Sequence, residues 1–539
     1  MRIAKRDEAA LAALLEDGSR RARESRHAEA LGVAERALDV APAHPQAHLI
    51  AGDANFRLGR WAKGVAHMRV ACAAAPGNAA AWTNLAFGLR SLGRLAEGRE
   101  SARRALALDP GFADAWNTLG LIEHDDGRID EARAHFHRAL EINPRYAPAR
   151  ANLANCDWHE RRIDAALAGY NEAAQLDPAL ADAPYNIGNL HHRSTGDLEQ
   201  AIARYRDAIS LRPDHALAHF NLAHALLITG RFAEAWRQYR WRPNRLEYEA
   251  VRAGAGNPYE IPEGAPIAGT RWLVIAEQGL GDVLFFLRFA ALAHQRGATL
   301  DFSGDPRLHA MLARTNLFER FGANADEARA SGAREILAGD LPLLLDERER
   351  GDTPPALPLV PEPERLAAMR LRLAELGPPP HAALAWRSGV PKTGIEERLF
   401  KEVPIEAFGA ALRGSSATWI SIQREPRAGE TDALAAAIGA PVHDLSSVNE
   451  DLEEALALMA LADRVIGVSN TNTHLRAGVR AVADVLVPFP PEWRWMASGD
   501  SPWFPRMRLY RQDISRDWHG ALEALGAALK QPGTRVIPG

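Results

Sequence analysis

The chain has 539 residues, 47% of them hydrophobic and 25% charged, an ordinary globular composition with room for two or more domains. A formal net charge of −5 speaks against a general nucleic-acid binder. The only cysteines, Cys72 and Cys156, exclude a disulfide framework and a cysteine-based metal site, so a cytoplasmic location is the expectation. The first residues, MRIAKRDEAALAALLEDG, are charged and lack the apolar core of a signal peptide. No uncharged apolar run reaches the ~18 residues a membrane span needs. A soluble protein with no membrane span is expected.

From residue 9 a repeat sets in. Prolines fall at Pro42, Pro76, Pro110, Pro144, Pro178 and Pro213, with four gaps of 34 residues and a last gap of 35. Glycine keeps the same beat at Gly59, Gly93, Gly127, Gly196 and Gly230, with Arg161 in the remaining slot. Glycine suits the left-handed end of a first helix, and proline cannot continue a second. This double register resembles the tetratricopeptide-repeat family. It is clearest in the copies that start at Gly77 and Gly111. The resemblance implies an all-α superhelix over 1–242 of about six to seven repeats. The copy at 9–42 would be a charged N-terminal cap. The last copy ends near Trp241, and its second helix, FAEAWRQYRWR, is expected to dock onto whatever follows.

One phase of the repeat carries Asn84, Thr118, Asn152, Asn186 and Asn221. Asparagine is a poor helix former, so its recurrence has a local cost. The four asparagines are candidate acceptor-binding residues on the concave face. A primary amide matches the backbone of an extended peptide, because it both donates and accepts. A similar ladder is present in the repeats of O-linked N-acetylglucosamine transferases. The alternative is that these amides satisfy groups between helices. His135 with His137, and His191 with His192, cannot share a helical face, so neither pair predicts a metal site.

Residues 243–270, rich in Pro, Gly and Glu, read as a linker. Then the pattern changes. Trp272–Ala276 is a short apolar strand, followed by Glu277-Gln278-Gly279-Leu280-Gly281-Asp282 and an apolar helix. Further strand-like runs are ATLDFS, LPLLL, AALAW, TWISI, RVIGVS and ADVLVPF, with helical stretches between several of them. Such alternation favours parallel sheets in an α/β fold. Two Rossmann-like lobes fit, at 271–375 and 376–530, with a hinge in the Pro-rich stretch Thr353–Pro363. The glycine turn lacks the third glycine of a dinucleotide fingerprint, since position 284 is Leu. No phosphate-binding P-loop motif is present.

Over about 270–512 the chain resembles the GT-B glycosyltransferases of the heptosyltransferase type. The motifs are EQGLGD; Trp386-Arg387-Ser388-Gly389 leading to Lys401-Glu402-Val403-Pro404; Ser421-Ile422-Gln423; and Val468 through Leu475. A last run, Pro491–Trp495 with Ser501–Pro505, then Arg511-Gln512, is similar to the array-fused members, where its aromatics would pack over the cleft.

The resemblance implies that Asp282 is the catalytic base, with helix capping as the other reading. It implies donor contacts at Arg387, Lys401, Gln423, Ser469, Asn470, Thr471, Asn472, Thr473 and His474. Cations and helix N–H groups there would stabilise the leaving phosphate, although Arg387 and Lys401 also read as solvated surface charges and the small polar residues as plain caps. Ser469 and Asn470 depart from the family's Asp-Thr pair. The implied activity is an inverting, metal-independent transfer with no cofactor. The sugar would pass from a nucleotide sugar to a protein acceptor, flagellin being one candidate. A scaffold with a degenerate transferase domain, or a lipid or polysaccharide acceptor, are the rival expectations.

Overall fold

The computed structural model describes residues 5–254, 259–261, 266–322, 332–345, 349–388 and 401–530. The chain divides into two compact units, Met1–Ile187 and Gly188–Gly539.

The first unit is a series of antiparallel helix pairs. The cap copy forms Lys5–Arg23 and His27–Val40. Four further pairs run from Pro45–Arg57 with Trp61–Ala74 to Ala147–His159 with Ile163–Leu176. The glycine beat marks the turn inside each pair. Gly59, Gly93 and Gly127 take φ of 71°, 71° and 77°, and Arg161 adopts the same left-handed conformation at 59° despite its Cβ. The proline beat is held by a ring on the next helix. Trp82 Nε1 donates to the Pro76 carbonyl at 3.0 Å, and Trp116 Nε1 to that of Pro110 at 2.9 Å. His48 Nε2 lies 2.9 Å from the Pro42 carbonyl in the equivalent place. Cys72 and Cys156 are buried free thiols. Burial pushes both up to about 11, so neither is a thiolate near neutral pH.

The unit boundary falls inside the helix Asp182–Leu190, not at residue 242. The one 35-residue gap has a structural counterpart just beyond it. His191–Thr195 forms a π-helical turn, which absorbs one extra residue without breaking the helix. The helices Leu198–Leu211, Ala216–Ile228 and Phe232–Tyr239 complete the repeats and group with the α/β part. In the last of them Trp236 is 1% exposed. Its ring sits 5.7–6.0 Å from those of Phe289, Trp493, Phe286 and Trp503. The docking expected of FAEAWRQYRWR is therefore present.

The expected linker at 243–270 is corrected over its first half, which is a helix, Pro243–Gly254. Its composition reads as linker because its charged residues find carboxylates only after folding. Arg242 bonds Asp340 and Glu277, the latter at 2.7 Å, and Arg245 Nε bonds Asp340 at 2.8 Å. Tyr259 adds a bond to Asp340 at 2.9 Å.

Two parallel sheets follow. The first holds β1 (Arg271–Ile275), β2 (Thr299–Ser303), β3 (Arg320–Gly322) and β4 (Arg334–Leu337) in the order β3-β2-β1-β4. LPLLL, expected as a strand, instead forms the short helix Leu341–Leu344. Pro342 explains the change, since it has no N–H for a ladder and fits the first helical turn.

The second sheet holds β5 (His381–Ala385), β8 (Thr418–Ser421), β9 (Val442–Asp444), β10 (Arg464–Val468), β11 (Asp484–Val487) and β12 (Arg508–Arg511). Their order is β12-β11-β10-β5-β8-β9. Two short strands, β6 (Arg387–Ser388) and β7 (Lys401–Glu402), pair antiparallel beside it. Among the parallel strands alone, both orders follow the doubly wound pattern, in which the chain reverses direction about one pair of strands. That pair is β1/β4 in the first sheet and β5/β10 in the second.

Gly467 lets β10 lie against β5. A Cβ there would stand 1.9 Å from the Ala385 carbonyl oxygen. Because the obstacle is backbone, Gly467→Ala is expected to cost on the order of 3 kcal/mol. Urea unfolding of the variant checks this, and a change below ~0.5 kcal/mol would contradict the packing.

Candidate functional site at the strand ends

In doubly wound sheets ligands bind at the carboxyl ends of the strands where the order reverses. Three motifs lie at such ends. β1 runs into the glycine turn and the helix Leu280–Gln295, whose first turn carries Asp282. β5 runs into Trp386 and Arg387. β10 runs into Ser469, Asn470 and the helix Thr471–Gly478.

The structure brings the first and third together. A Cβ on Gly281 would meet His474 Cδ2 at 3.1 Å and the Thr471 Cα at 3.7 Å. Glycine is thus what allows the turn to approach the second helix's N-terminus. The capping alternative for Asp282 is not what the chain does. Gly279 is the N-cap, without a side-chain bond, and Asp282 sits two residues inside the helix. Its side chain is 37% exposed and forms an ion pair with Arg494.

Lys401 also joins this centre. It is 7% exposed, so it is no solvated surface cation. Its Nζ donates to the Ser469 carbonyl at 2.9 Å and lies 3.3 Å from Ser469 Oγ and 2.6 Å from Glu492. Ser469 Oγ donates to the other Glu492 oxygen at 3.1 Å. Burial works to raise the Glu492 carboxyl, but Lys401 and Arg494 outweigh it and hold it below the usual range.

Arg387 and Gln423 are placed differently from the donor contacts expected of them. The Arg387 guanidinium bonds Glu430 at 2.6 and 3.1 Å and the Glu425 carbonyl at 3.0 Å. Gln423 Oε1 accepts from the backbone N–H of Trp386 and Arg387, at 3.1 and 2.8 Å. Its Nε2 donates to the carbonyls of Arg387 and Arg424, at 3.1 and 3.0 Å. Its amide is engaged by the chain leaving β5 and by the adjacent Arg424 carbonyl, so its role is bracing. Gly389 and the loop to Lys401 lie outside the described residues.

Asn470 caps the helix at 471. It accepts from Thr473 N at 3.4 Å while Thr473 Oγ1 accepts from Asn470 N at 3.2 Å. Asn472 donates to Asn449 at 3.0 Å. Thr471, half-exposed, opens the helix. His474 is buried beside Phe504. Burial, then Arg494, Arg288 and Lys401, hold its ring far below the ordinary histidine range, so it stays neutral.

A sign follows. Above about pH 6.5 both folded and unfolded histidine are neutral, and His474 contributes nothing to the pH dependence. Below it the unfolded chain takes a proton that the folded ring refuses, so stability falls as pH falls, by up to about 1.4 kcal/mol per pH unit. Urea unfolding at pH 7, 6 and 5 is expected to show this component, and His474→Asn to remove it.

Glu492 and Arg494 are not among the site residues expected from the sequence. Their signal is the charge interleaved with aromatics in Pro491-Glu492-Trp493-Arg494-Trp495, a run that reads first for its tryptophans.

In the asparagine ladder, two members bond to a neighbouring helix. Asn152 Nδ2 donates to Asn117 at 2.8 Å. Asn221, 2% exposed, donates to Asn189 at 2.8 Å, and Asn189 also accepts from Tyr205. These two amide nitrogens tie neighbouring repeats together; Asn221 is buried, where an amide must be satisfied, and Asn152 is half-buried. Asn84 and Asn186 are half-buried. Among the described residues no helix is long and apolar enough to cross a membrane.

Comparison with known proteins places the repeat class first. Residues 15–79 and 84–147 match one tetratricopeptide-repeat model and 123–191 another, while 192–230 match a TPR-repeat model. This half of the chain carries tetratricopeptide repeats. A curated relative is Protein FlbA of Caulobacter vibrioides, 26% identical over 364 residues, which are 62% of this chain. The match spans only 59% of that protein's length. Among solved structures, the APC/C hetero-tetramer Cut9–Hcn1 aligns over 40% of this chain and 43% of its own, at 19% identity and a TM-score of 0.35. A thermophilic TPR protein of Thermus thermophilus aligns over 34% of this chain and all of its own, at 23% identity and a TM-score of 0.32.

Proposed function

We propose that the protein is an inverting, metal-independent GT-B glycosyltransferase. It would move a sugar from a nucleotide-activated donor to a protein recruited by its repeats. The observation that carries this reading is the convergence of Asp282, Lys401 and the helix N-terminus at Thr471 on the carboxyl ends of β1 and β10. In the reaction an acceptor hydroxyl gives its proton to the Asp282 carboxylate and its oxygen bonds the anomeric carbon. The bond from that carbon to the phosphate oxygen breaks, and the electron pair leaves with the nucleotide. Lys401 and the free N–H groups of the 471 helix offset the charge that develops. Tethering the acceptor on repeats of the same chain raises its concentration at the site. Flagellin is the proposed acceptor, on the pairing of repeats and transferase domain found in flagellin-modifying transferases, and a CMP-linked sugar is one proposed donor.

A second reading is a repeat scaffold with an inactive transferase domain. The internal pairing of Asp282 with Arg494 and Lys401 with Glu492 favours it. Mass spectrometry of proteins from cells with and without the gene separates the two. A hexose- or nonulosonate-sized mass lost from one protein in the deletion strain supports transfer. No protein changing mass, together with no nucleotide binding by calorimetry, leaves the scaffold.

A further inference from the structure

Resting on the transferase reading, we infer that Arg494 is a binding residue for the donor's phosphate, held by Asp282 until the donor arrives. The exchange would then release Asp282 for the acceptor hydroxyl.

Four charged side chains form one balanced cluster. Lys401 lies 2.6 Å from Glu492, and Arg494 pairs with Asp282. Each of the two cations already faces a carboxylate, so a phosphate must compete with carboxylates already in place. The two pairs are not equally open to competition. The Lys401–Glu492 pair is buttressed by Ser469, which accepts from the lysine with its carbonyl and donates its hydroxyl to the carboxylate. Asp282 has no such buttress and is the more exposed carboxylate, 37% against 21% for Glu492. It is the partner that water and ligands reach.

Arg494 is built to hold its position when that partner leaves. Its side chain is only 9% exposed. The guanidinium lies 4.4 Å from the Trp493 ring centroid and 5.0 Å from that of Phe285, so aromatic faces share the cation. Its Nε–H is buried with no hydrogen-bond partner. A planar guanidinium with an unused donor is a fork for phosphate oxygens. Arg288, the next buried arginine, is excluded from this role. It donates to the carbonyls of Phe285, Pro354 and Trp503, at 3.0, 3.1 and 2.9 Å, and faces no opening.

The consequence is an order of events. Phosphate takes over the guanidinium of Arg494 where it stands, Asp282 loses its counter-cation, and its carboxylate is left free to meet the acceptor hydroxyl. Without donor the base stays paired.

Calorimetry of the full chain with UDP, GDP, ADP and CMP tests this. The nucleotide that binds the wild type is expected to bind Arg494→Gln at least tenfold more weakly. Asp282→Asn removes the competitor, and the same nucleotide is expected to bind it several-fold more tightly. Thermal melting of both variants confirms folding, and Arg494→Lys, which keeps the charge, is expected to fall between wild type and Arg494→Gln. Equal affinity of wild type and Arg494→Gln overturns the inference and leaves the transferase reading standing. Unchanged or weaker binding by Asp282→Asn overturns the competition. No nucleotide binding the wild type overturns the transferase reading itself.

Discussion

Asp340→Asn is expected to destabilise the second unit by about 3–5 kcal/mol, the usual cost of removing one partner from a buried ion cluster. Asp340 is fully buried and gathers Arg242, Arg245 and Tyr259. Burial alone would push Arg242 down, but Asp340 and Glu277 hold it well above its ordinary value. Asparagine keeps the shape and loses the charge, leaving the buried guanidinium of Arg242 with Glu277 alone and that of Arg245 with the half-buried Glu249 at 3.0 Å. Urea unfolding followed by tryptophan fluorescence measures the loss. A double-mutant cycle with Arg242→Met is expected to return a coupling of about 0.5–3 kcal/mol. Additive costs would mean that the two residues act independently. The same cluster reaches the site. Glu277 accepts from Arg242 and from the Gly339 N–H at 3.1 Å, and Asn244 donates to the Glu277 carbonyl at 2.7 Å. Glu277 begins the turn that carries Asp282, so the last repeat and the helix behind it hold that turn in place.

If the protein is the proposed transferase, Asp282→Asn is expected to lower the transfer rate by about 10²–10⁴-fold while leaving the melting temperature within a few degrees. The amide is isosteric, and the carboxylate is partly exposed in the first turn of its helix, so little stability depends on it. The large term is chemical, because an amide cannot take the hydroxyl proton. Rates measured with saturating donor and acceptor isolate it from binding. Undiminished transfer would remove Asp282 as the base.

The repeat half was legible because its determinants are local. A proline every 34 residues and a glycine between them specify where helices stop, whatever the neighbours do. Even the 35-residue gap had a local answer in the π-helical turn at His191–Thr195. The β1 and β10 motifs were legible for the same reason: a short apolar run, small polar residues and a helix form a strand–turn–helix by themselves. The helix at Pro243–Gly254 was not, since Arg242 just before it and Arg245 within it are stabilised by Asp340, 98 and 95 residues away. Nor were the bracing role of Gln423, the closed pair of Arg387 with Glu430, or the engagement of Asn221 with Asn189.

By itself, then, the amino-acid order determined the repeat period, the helix stops and the presence of an α/β half with a carboxylate after its first strand. Only the tertiary structure decided which charges are paired. A carboxylate and a cation attract over a few ångströms whatever their separation along the chain. Asp282 with Arg494, Lys401 with Glu492 and Arg242 with Asp340 therefore exist only once the sheets and the last repeat have packed.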